Sequence, residues 1–357
     1  MNTIAHDQSI TEMEVTRPGA LAPALENPPL KIAMVGCGAL GSFYGAKLCR
    51  AGHTVHFLLR SDYEAVRQHG VTILSIDGDF TAHPICARCP QEIGPCDLVL
   101  IGLKTTANAE FPHLLPPLVT PQTLVVTLQN GLGNEERLAA MFGPDHILGG
   151  RCFVCLNRTA PGTVHHTAHG KIVLGEFQRP PLPRTERLAA VFRHAGIPCE
   201  VTPSLAATHW EKLVWNIPFN GLGVAGSVGF DAVVAGRVPD GTPVGPCLST
   251  DVLLGEPRWE ELVRELMGEV VRAAQAQAIN LPDTIIHHQI ERTRIMRAYR
   301  ASTLIDFERG HPLEIESMFL EPWRRARAAG VPTPRLAALI AVLDWLERQR
   351  RQPGIDP

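Results

Sequence analysis

A lysine and two asparagines recur at every fourth residue in the second half of this chain of 357 residues. Lys212, Asn216 and Asn220 would lie on one face of a helix, because each step of four residues turns the face by only about 40°. An asparagine inside a helix is expected mainly where its amide has a partner, which argues against the alternative of a plain surface stripe. A lysine beside two uncharged donors could hold a substrate and give it a proton.

Two further polar groups follow predicted strands of the first half. Lys104 comes directly after the apolar run 99–103, and Gln129-Asn130-Gly131 follows the run 125–128. Ligands of parallel sheets sit beyond the carboxyl ends of the strands, so both groups are candidate site residues. Taken alone, each could equally be an ordinary residue that ends a strand.

A glycine-rich turn, G-C-G-A-L-G at residues 36–41, lies between an apolar run and a helical pattern. Gly36 permits the tight turn, Gly38 lets the backbone approach a pyrophosphate, and Gly41 lets the helix pack on the strand. Free N–H groups at the helix N-terminus would point at the phosphates. The sequence therefore predicts a dinucleotide site formed by Gly36, Gly38, Ala39, Leu40 and Gly41.

The end of the next predicted strand indicates which dinucleotide is bound. Where an NAD site usually supplies an acidic residue to the ribose hydroxyls, this chain has Arg60 followed by Ser61. An arginine there suits a 2′-phosphate, so NADPH/NADP+ is the expected cofactor. The alternative is that Arg60 is a solvated residue at a strand end and that Asp62 is the ribose partner.

Apolar runs divide the chain into two halves. The first half has strand-like runs at 31–35, 53–59, 71–76, 97–103, 123–128, 151–156, 162–166 and 171–175. Most are spaced by connections of helical length, which is typical of a Rossmann-type doubly wound sheet, and the last three predict an antiparallel extension. Helical patterns at 260–278 and 334–349 follow an irregular stretch, 221–257, in which we expect an interrupted helix and a long loop.

We therefore predict an α/β fold in three parts. Residues 1–29 are expected to form a disordered extension, residues 30–203 an NADP-binding Rossmann domain, and residues 204–350 an all-helical substrate and catalytic domain.

Composition and charge favour a protein that binds a small molecule. The hydrophobic content of 45% fits a globular fold, and a formal net charge of −3 argues against a nucleic-acid surface. No apolar run is long enough to cross a membrane, and residues 1–29 carry acids where a signal peptide needs an apolar core. We expect a cytoplasmic protein with neither a nucleic-acid nor a membrane partner. The oligomeric state stays open, with a homodimer as one option.

Nine cysteines include two Cys-x-x-Cys pairs, Cys86/Cys89 and Cys152/Cys155. Four thiolates could hold a zinc ion or serve a redox role. Cys152 and Cys155, however, belong to an apolar run typical of a strand, on which they would point to opposite faces. We therefore expect reduced thiols that act as small hydrophobic residues, and no metal site.

Taken together, these motifs resemble the ketopantoate reductases, from residue 31 to about residue 346. The most specific parts are the lysine-asparagine stripe and the spacing from Ser302 to Glu314. The resemblance implies an enzyme of pantothenate and coenzyme A synthesis that reduces 2-dehydropantoate to pantoate with NADPH. It also implies an active site between a Rossmann domain and an all-helical domain.

The same resemblance implies a role for each candidate residue. Lys212 matches the catalytic acid, and Glu314 matches the carboxylate that receives the substrate hydroxyl. The remaining matches bind substrate or cofactor: Asn216, Asn220 and Ser302 as substrate contacts, Asn130 between cofactor and substrate, and Lys104 near the nicotinamide.

The chain departs from the family pattern in two places. Gly221 replaces the usual proline after the second stripe asparagine, and residues 229–255 carry an insertion. These departures leave the hydride chemistry intact but leave the substrate open, so the alternative is an NADPH-dependent reductase of another 2-oxo acid or an imine. A non-catalytic NADPH sensor is disfavoured, because Lys212, Ser302 and Glu314 are present together.

Overall fold

The computed structural model describes residues 28–282 and 284–351. The disordered extension predicted at 1–29 lies outside these residues except for its last two positions. Within the described part, ten strands form one sheet: β1 Lys31–Val35, β2 Thr54–Leu58, β3 Val71–Ser75, β4 Phe80–Ala82, β5 Ile85–Ala87, β6 Leu98–Ile101, β7 Leu124–Thr127, β8 Ile147–Ala160, β9 Thr163–Glu176 and β10 Cys199–Val201.

The strand order is β4-β3-β9-β8-β7-β6-β1-β2-β5, with β10 beside β9. β1 pairs in parallel with β2 and β6, and the parallel run continues through β7 to β8. Ile32 and Met34 belong to one hydrophobic core, whereas Ala33 and Val35 belong to another, so β1 is buried on both faces. The predicted Rossmann-type sheet is confirmed.

β8 and β9 pair antiparallel and form a ribbon, each strand 14 residues long. The predicted extension is therefore present, but the prediction of separate strands at 162–166 and 171–175 is wrong. His169 and Gly170 take positive φ angles of 64° and 130°, and the pairing with β8 resumes on both sides. The irregularity is a bulge inside one strand and not a turn between two.

Helices cover the sheet and make up most of the chain after residue 204. Those of the first half are α1 Ala39–Arg50, α2 Tyr63–His69, α3 Pro90–Ile93, α4 Phe111–Leu114, α5 Asn134–Phe142 and α6 Pro183–His194. Those of the second half are α7 Leu205–Ala225, α8 Phe230–Ala235, α9 Thr250–Gly255, α10 Pro257–Gln275, α11 Ile285–Ile295, α12 Ser302–Glu308, a π-helical turn Glu316–Leu320, α13 Glu321–Ala328 and α14 Pro334–Arg351.

The predicted helices at 260–278 and 334–349 are confirmed as α10 and α14, to within one turn. The stretch 221–257 holds more structure than predicted: it contains the end of α7, then α8 and α9, with an irregular segment only between 236 and 249. No helix of the described residues is long and apolar enough to span a membrane.

α7 is the central helix of the second half. Ser204 Oγ accepts a hydrogen bond from the Ala207 N–H and so caps its start. Leu213, Val214 and Ile217 are buried in a third hydrophobic core, where α7 packs against α10, α12 and α14. This core is separate from the two cores of the sheet, although the exact domain boundary at residue 203 stays a prediction.

The backbone is most crowded at the turn between β1 and α1. Gly36 has a φ of 96°, and a Cβ at Gly41 would lie 2.1 Å from the Gly36 carbonyl oxygen. Real Cβ atoms do not approach backbone atoms this closely, so the turn requires glycine at both positions.

We expect Gly41→Ala to destabilise the protein by about 1–3 kcal/mol, because the added methyl group must push the backbone of the turn apart. Gly268→Ala in α10 is the matched control, since its Cβ would meet only the end of the Arg272 side chain. Alanine should stabilise that helix interior by up to about 1 kcal/mol. Urea unfolding measures both changes, and a Gly41→Ala protein as stable as the unmodified one would contradict the argument.

Candidate active site

A cavity of about 1350 Å³ lies between the carboxyl edge of the sheet and helices α7, α11 and α12. Of the predicted site residues, only Gly41, Gln129, Gly131 and Glu314 do not line it. Those at the wall are Gly36, Gly38, Ala39, Leu40, Arg60, Lys104, Asn130, Lys212, Asn216, Asn220 and Ser302.

The glycine turn presents an open helix N-terminus to this cavity. α1 begins at Ala39 with Gly38 as its N-cap, and no acidic residue lies in its first turn. Nothing lies within 4 Å of the place that a Gly38 Cβ would take, so a phosphate can approach the backbone. Free N–H groups and the helix dipole at this end favour an anion. These residues therefore fit the pyrophosphate of a dinucleotide.

Arg60 and Asp62, the two alternative ribose contacts, have different surroundings. Arg60 follows β2, is exposed and lines the cavity. Asp62 is buried, and its carboxylate accepts hydrogen bonds from the Arg158 guanidinium at 2.9 Å and the Gly162 N–H at 3.2 Å. Asp62 thus ties the loop after β2 to the β8–β9 ribbon, and Arg60 is the one of the two that can meet a phosphate.

Lys212 Nζ reaches from α7 to two oxygens of the sheet half. It donates hydrogen bonds to Asn130 Oδ1 at 2.7 Å and to the Cys152 carbonyl oxygen at 3.0 Å. The pKa of Lys212 is lowered from 10.5 to about 8, chiefly by burial; Arg151 also lowers it, whereas Cys152 and Glu314 raise it. An amine with such a pKa gives up its proton more readily than an ordinary lysine.

Asn216 and Asn220 follow Lys212 along α7, and both are buried. Asn220 Oδ1 accepts a hydrogen bond from the Thr303 N–H at 3.1 Å, which fixes the first turn of α12 against α7. Ser302, the first residue of α12, is thereby held at the cavity wall near the stripe. The structure therefore brings together the lysine, the two asparagines and the serine.

Glu314 is buried behind the wall of the cavity. Its Oε1 accepts hydrogen bonds from the N–H and the hydroxyl of Thr105, at 2.8 and 3.0 Å, and its Oε2 lies 3.5 Å from Lys104 Nζ. Lys104 also bonds Asp306 at 2.7 Å. Burial alone would lower the pKa of Lys104, but Glu314 and Asp306 raise it above its ordinary value. These contacts of Lys104 and Thr105 with Asp306 and Glu314, called the clasp below, join the loop after β6 to the helical half.

Sequence reasoning missed three residues at or near the site. Thr105 binds Glu314, Arg158 binds Asp62, and Arg151 lines the cavity beside Lys212. Thr105 could have been found, because it follows Lys104 at the carboxyl edge of the sheet. Arg151 and Arg158 carry no such signal, since their role depends on how the ribbon folds over the cavity.

The cysteines of the second Cys-x-x-Cys pair have different surroundings. Cys152 is buried beside Tyr44, and burial raises the pKa of its thiol to about 11. Cys155 Sγ instead contacts the Tyr299 hydroxyl of the helical half at 3.7 Å. All nine cysteines are free. Among residues 28–282 and 284–351, no group of three or more His, Cys, Asp or Glu side chains could hold a metal ion.

The chain matches two profiles of one protein family. Residues 32–179 match "Ketopantoate reductase PanE/ApbA", and residues 244–347 match its C-terminal part. A 2-dehydropantoate 2-reductase of Nostoc sp. is 40% identical over 331 residues, which cover 90% of this chain and 96% of that protein.

Two solved structures are similar to this chain in both sequence and fold. The 2-dehydropantoate 2-reductase from Geobacter metallireducens GS-15 is 44% identical with a TM-score of 0.79, and the match covers 88% of this chain and 99% of that one. The enzyme of the same name from Methylococcus capsulatus is 34% identical with a TM-score of 0.78, covering 90% and 98%. This chain therefore belongs to the ketopantoate reductases, a family of pyridine-nucleotide-dependent oxidoreductases.

Proposed function

We propose that this protein reduces 2-dehydropantoate to pantoate with NADPH, as a step towards pantothenate. The observation that carries the proposal is the position of Lys212. Its amine is hydrogen-bonded to Asn130 and to β8 at the wall of a cavity whose other end is an open helix N-terminus. The names of the relatives support the same substrate.

When bound, the reduced nicotinamide supplies a hydride to the ketone carbon of the substrate. Lys212 stabilises the negative charge that develops on the ketone oxygen and then gives that oxygen a proton, which completes the secondary alcohol. The neutral amine regains its proton from solvent. Asn130 accepts a hydrogen bond from Nζ and so fixes the direction from which the amine approaches.

The substrate carboxylate needs donors that do not compete with Lys212 for charge. Asn216, Asn220 and Ser302 meet this requirement, because all three are uncharged and line the cavity near the amine. Glu314 lies behind the cavity wall, with Oε1 held by Thr105, so the substrate hydroxyl would enter beside Lys104 to donate a hydrogen bond to Oε2.

An assay of NADPH oxidation with 2-dehydropantoate and a panel of other 2-oxo acids tests the proposal. We expect 2-dehydropantoate to give the highest kcat/KM. A higher value for another 2-oxo acid would overturn the proposed substrate, and no oxidation with any of them would overturn the proposed reaction.

We expect NADPH to be preferred over NADH because Arg60 lines the cavity after β2. Losing a charge-assisted contact to the 2′-phosphate should cost about 1.5–3 kcal/mol, so Arg60→Ala should weaken NADPH binding far more than NADH binding. Arg67→Ala, at an exposed arginine of α2, is the control and should change neither. Calorimetric titration of the unmodified protein and of both variants with each cofactor measures all six affinities. Equal affinity of the unmodified protein for both cofactors would refute the assignment.

We expect kcat/KM to fall as pH rises through about 8, since the pKa of Lys212 is lowered to about 8 and only the protonated amine can donate. Lys212→Ala should lower kcat by at least about 10²-fold. Lys212→Arg keeps the charge but cannot give up its proton, so its kcat should also be low, and its residual kcat/KM should show no fall near pH 8. Steady-state rates between pH 6 and 10 compare the unmodified protein with both variants. A near-normal kcat for Lys212→Ala would contradict the proposed role of Lys212 as the acid.

We expect Glu314→Ala to lower turnover of 2-dehydropantoate more than turnover of an analogue without the hydroxyl. Only 2-dehydropantoate has a hydroxyl that loses its hydrogen-bond acceptor in this variant. Thr105→Val is the matched control: it removes one hydrogen bond to Glu314 but leaves the carboxylate in place. Its losses should be equal on the two substrates. Equal losses for Glu314→Ala as well would mean that Glu314 serves only the clasp with Thr105 and Lys104.

A further inference from the structure

Strand β8 and helix α7 meet at two successive residues of each element. Arg151 Nη1 lies 3.2 Å from Glu211 Oε2, and the next residue of each element forms the bond between the Cys152 carbonyl and Lys212 Nζ, at 3.0 Å. An ion pair therefore stands directly beside the contact that holds the proposed acid. Arg151 and Glu211 both line the cavity.

The two charges of this ion pair are unequally exposed. The Arg151 side chain keeps 22% of its accessible surface and the Glu211 side chain 41%, so water screens the carboxylate more than the guanidinium. Arg151 Nε is buried and has no hydrogen-bond partner among the described residues. The guanidinium therefore has one buried N–H without an acceptor, and its positive charge lowers the pKa of the Lys212 amine.

Two other ionisable groups, Cys152 and Glu314, raise the pKa of Lys212, and Cys152 raises it more than Arg151 lowers it. Burial raises the pKa of the Cys152 thiol to about 11, so the thiol is uncharged near neutral pH. Glu314 shares its charge with Lys104, 3.5 Å away. Arg151 is the nearby cation that acts against protonation of Lys212.

We propose that Arg151 and Glu211 form a positioning pair for Lys212. The ion pair holds α7 on β8 beside the Lys212 contact, and the positive charge of Arg151 makes the lysine a readier proton donor. This inference rests on the proposed role of Lys212 as the acid.

Direct titration of Lys212 tests the proposal. It can be followed by NMR of protein labelled at lysine 13Cε, with Lys212→Arg used to assign the signal. Arg151→Met should raise the titration midpoint of Lys212 by at least about half a pH unit, since the substitution removes a cation that disfavours protonation of the amine. Glu211→Gln should lower the midpoint, because Arg151 then lacks its counter-ion. Arg151→Lys keeps the charge and should return the midpoint towards that of the unmodified protein.

A second cation of the same wall provides the control. Lys171 lines the cavity and pairs with Glu200 at 2.5 Å, but it is not among the charges that act on Lys212. Lys171→Met should therefore leave the midpoint unchanged. In steady-state assays, the fall of kcat/KM at high pH should follow the NMR midpoints in each variant.

Three results would overturn the proposal. The midpoints could stay unchanged, or they could move in the same direction in Arg151→Met and Glu211→Gln. The third concerns the KM values of Arg151→Met. If KM rises for the 2-oxo acid but not for its neutral amide, and the Lys212 midpoint does not change, then Arg151 binds the substrate carboxylate instead. The NMR titration needs no substrate, so failure of this inference is distinguishable from failure of the proposed function, which is seen as absence of 2-dehydropantoate turnover.

Discussion

The two halves meet at one half-buried cation, the Lys212 ammonium, and at the oxygens that accept hydrogen bonds from it. Lys212 Nζ bonds a side-chain oxygen after β7 and a main-chain oxygen of β8, so a single amine joins the helical half to two neighbouring strands. A buried ammonium group is unfavourable unless it is hydrogen-bonded, so the strand ends and α7 must meet in one arrangement. The same burial accounts for most of the lowered pKa that suits the amine to acid catalysis.

Features encoded within a few consecutive residues could be predicted from the sequence. The turn at Gly36 follows from glycine spacing between a strand and a helix, and the stripe from Lys212 to Asn220 follows from the period of a helix. Arg60 follows from its place directly after β2. Each of these inferences needs only the spacing of residues along one element, which decides the face or the end at which a side chain lies.

Contacts between distant segments could not be predicted in this way. Its place after β2 makes Asp62 a candidate ribose contact, yet its carboxylate is bound by Arg158 on the ribbon. The family resemblance implies a substrate role for Glu314, but the hydrogen bond that its carboxylate accepts from Thr105, in a loop of the other half, could not be found from spacing along one element. The bulge at Gly170 has the residue preferences of a turn, so only the pairing with β8 distinguishes the two.

Helix α7 carries Lys212, Asn216 and Asn220 on one face, while its Leu213 and Ile217 pack into the helical core, so one helix supplies both the site residues and the packing that positions them. Evolution can therefore change little along α7 without losing both stability and rate. α11 is under a weaker constraint, because its few buried residues are Ile285, Ile290 and Thr293. Gln289 and Arg292 of α11 line the cavity, as does Met296 directly after the helix. Divergence in substrate range within such proteins should therefore concentrate on α11 and leave α7 unchanged.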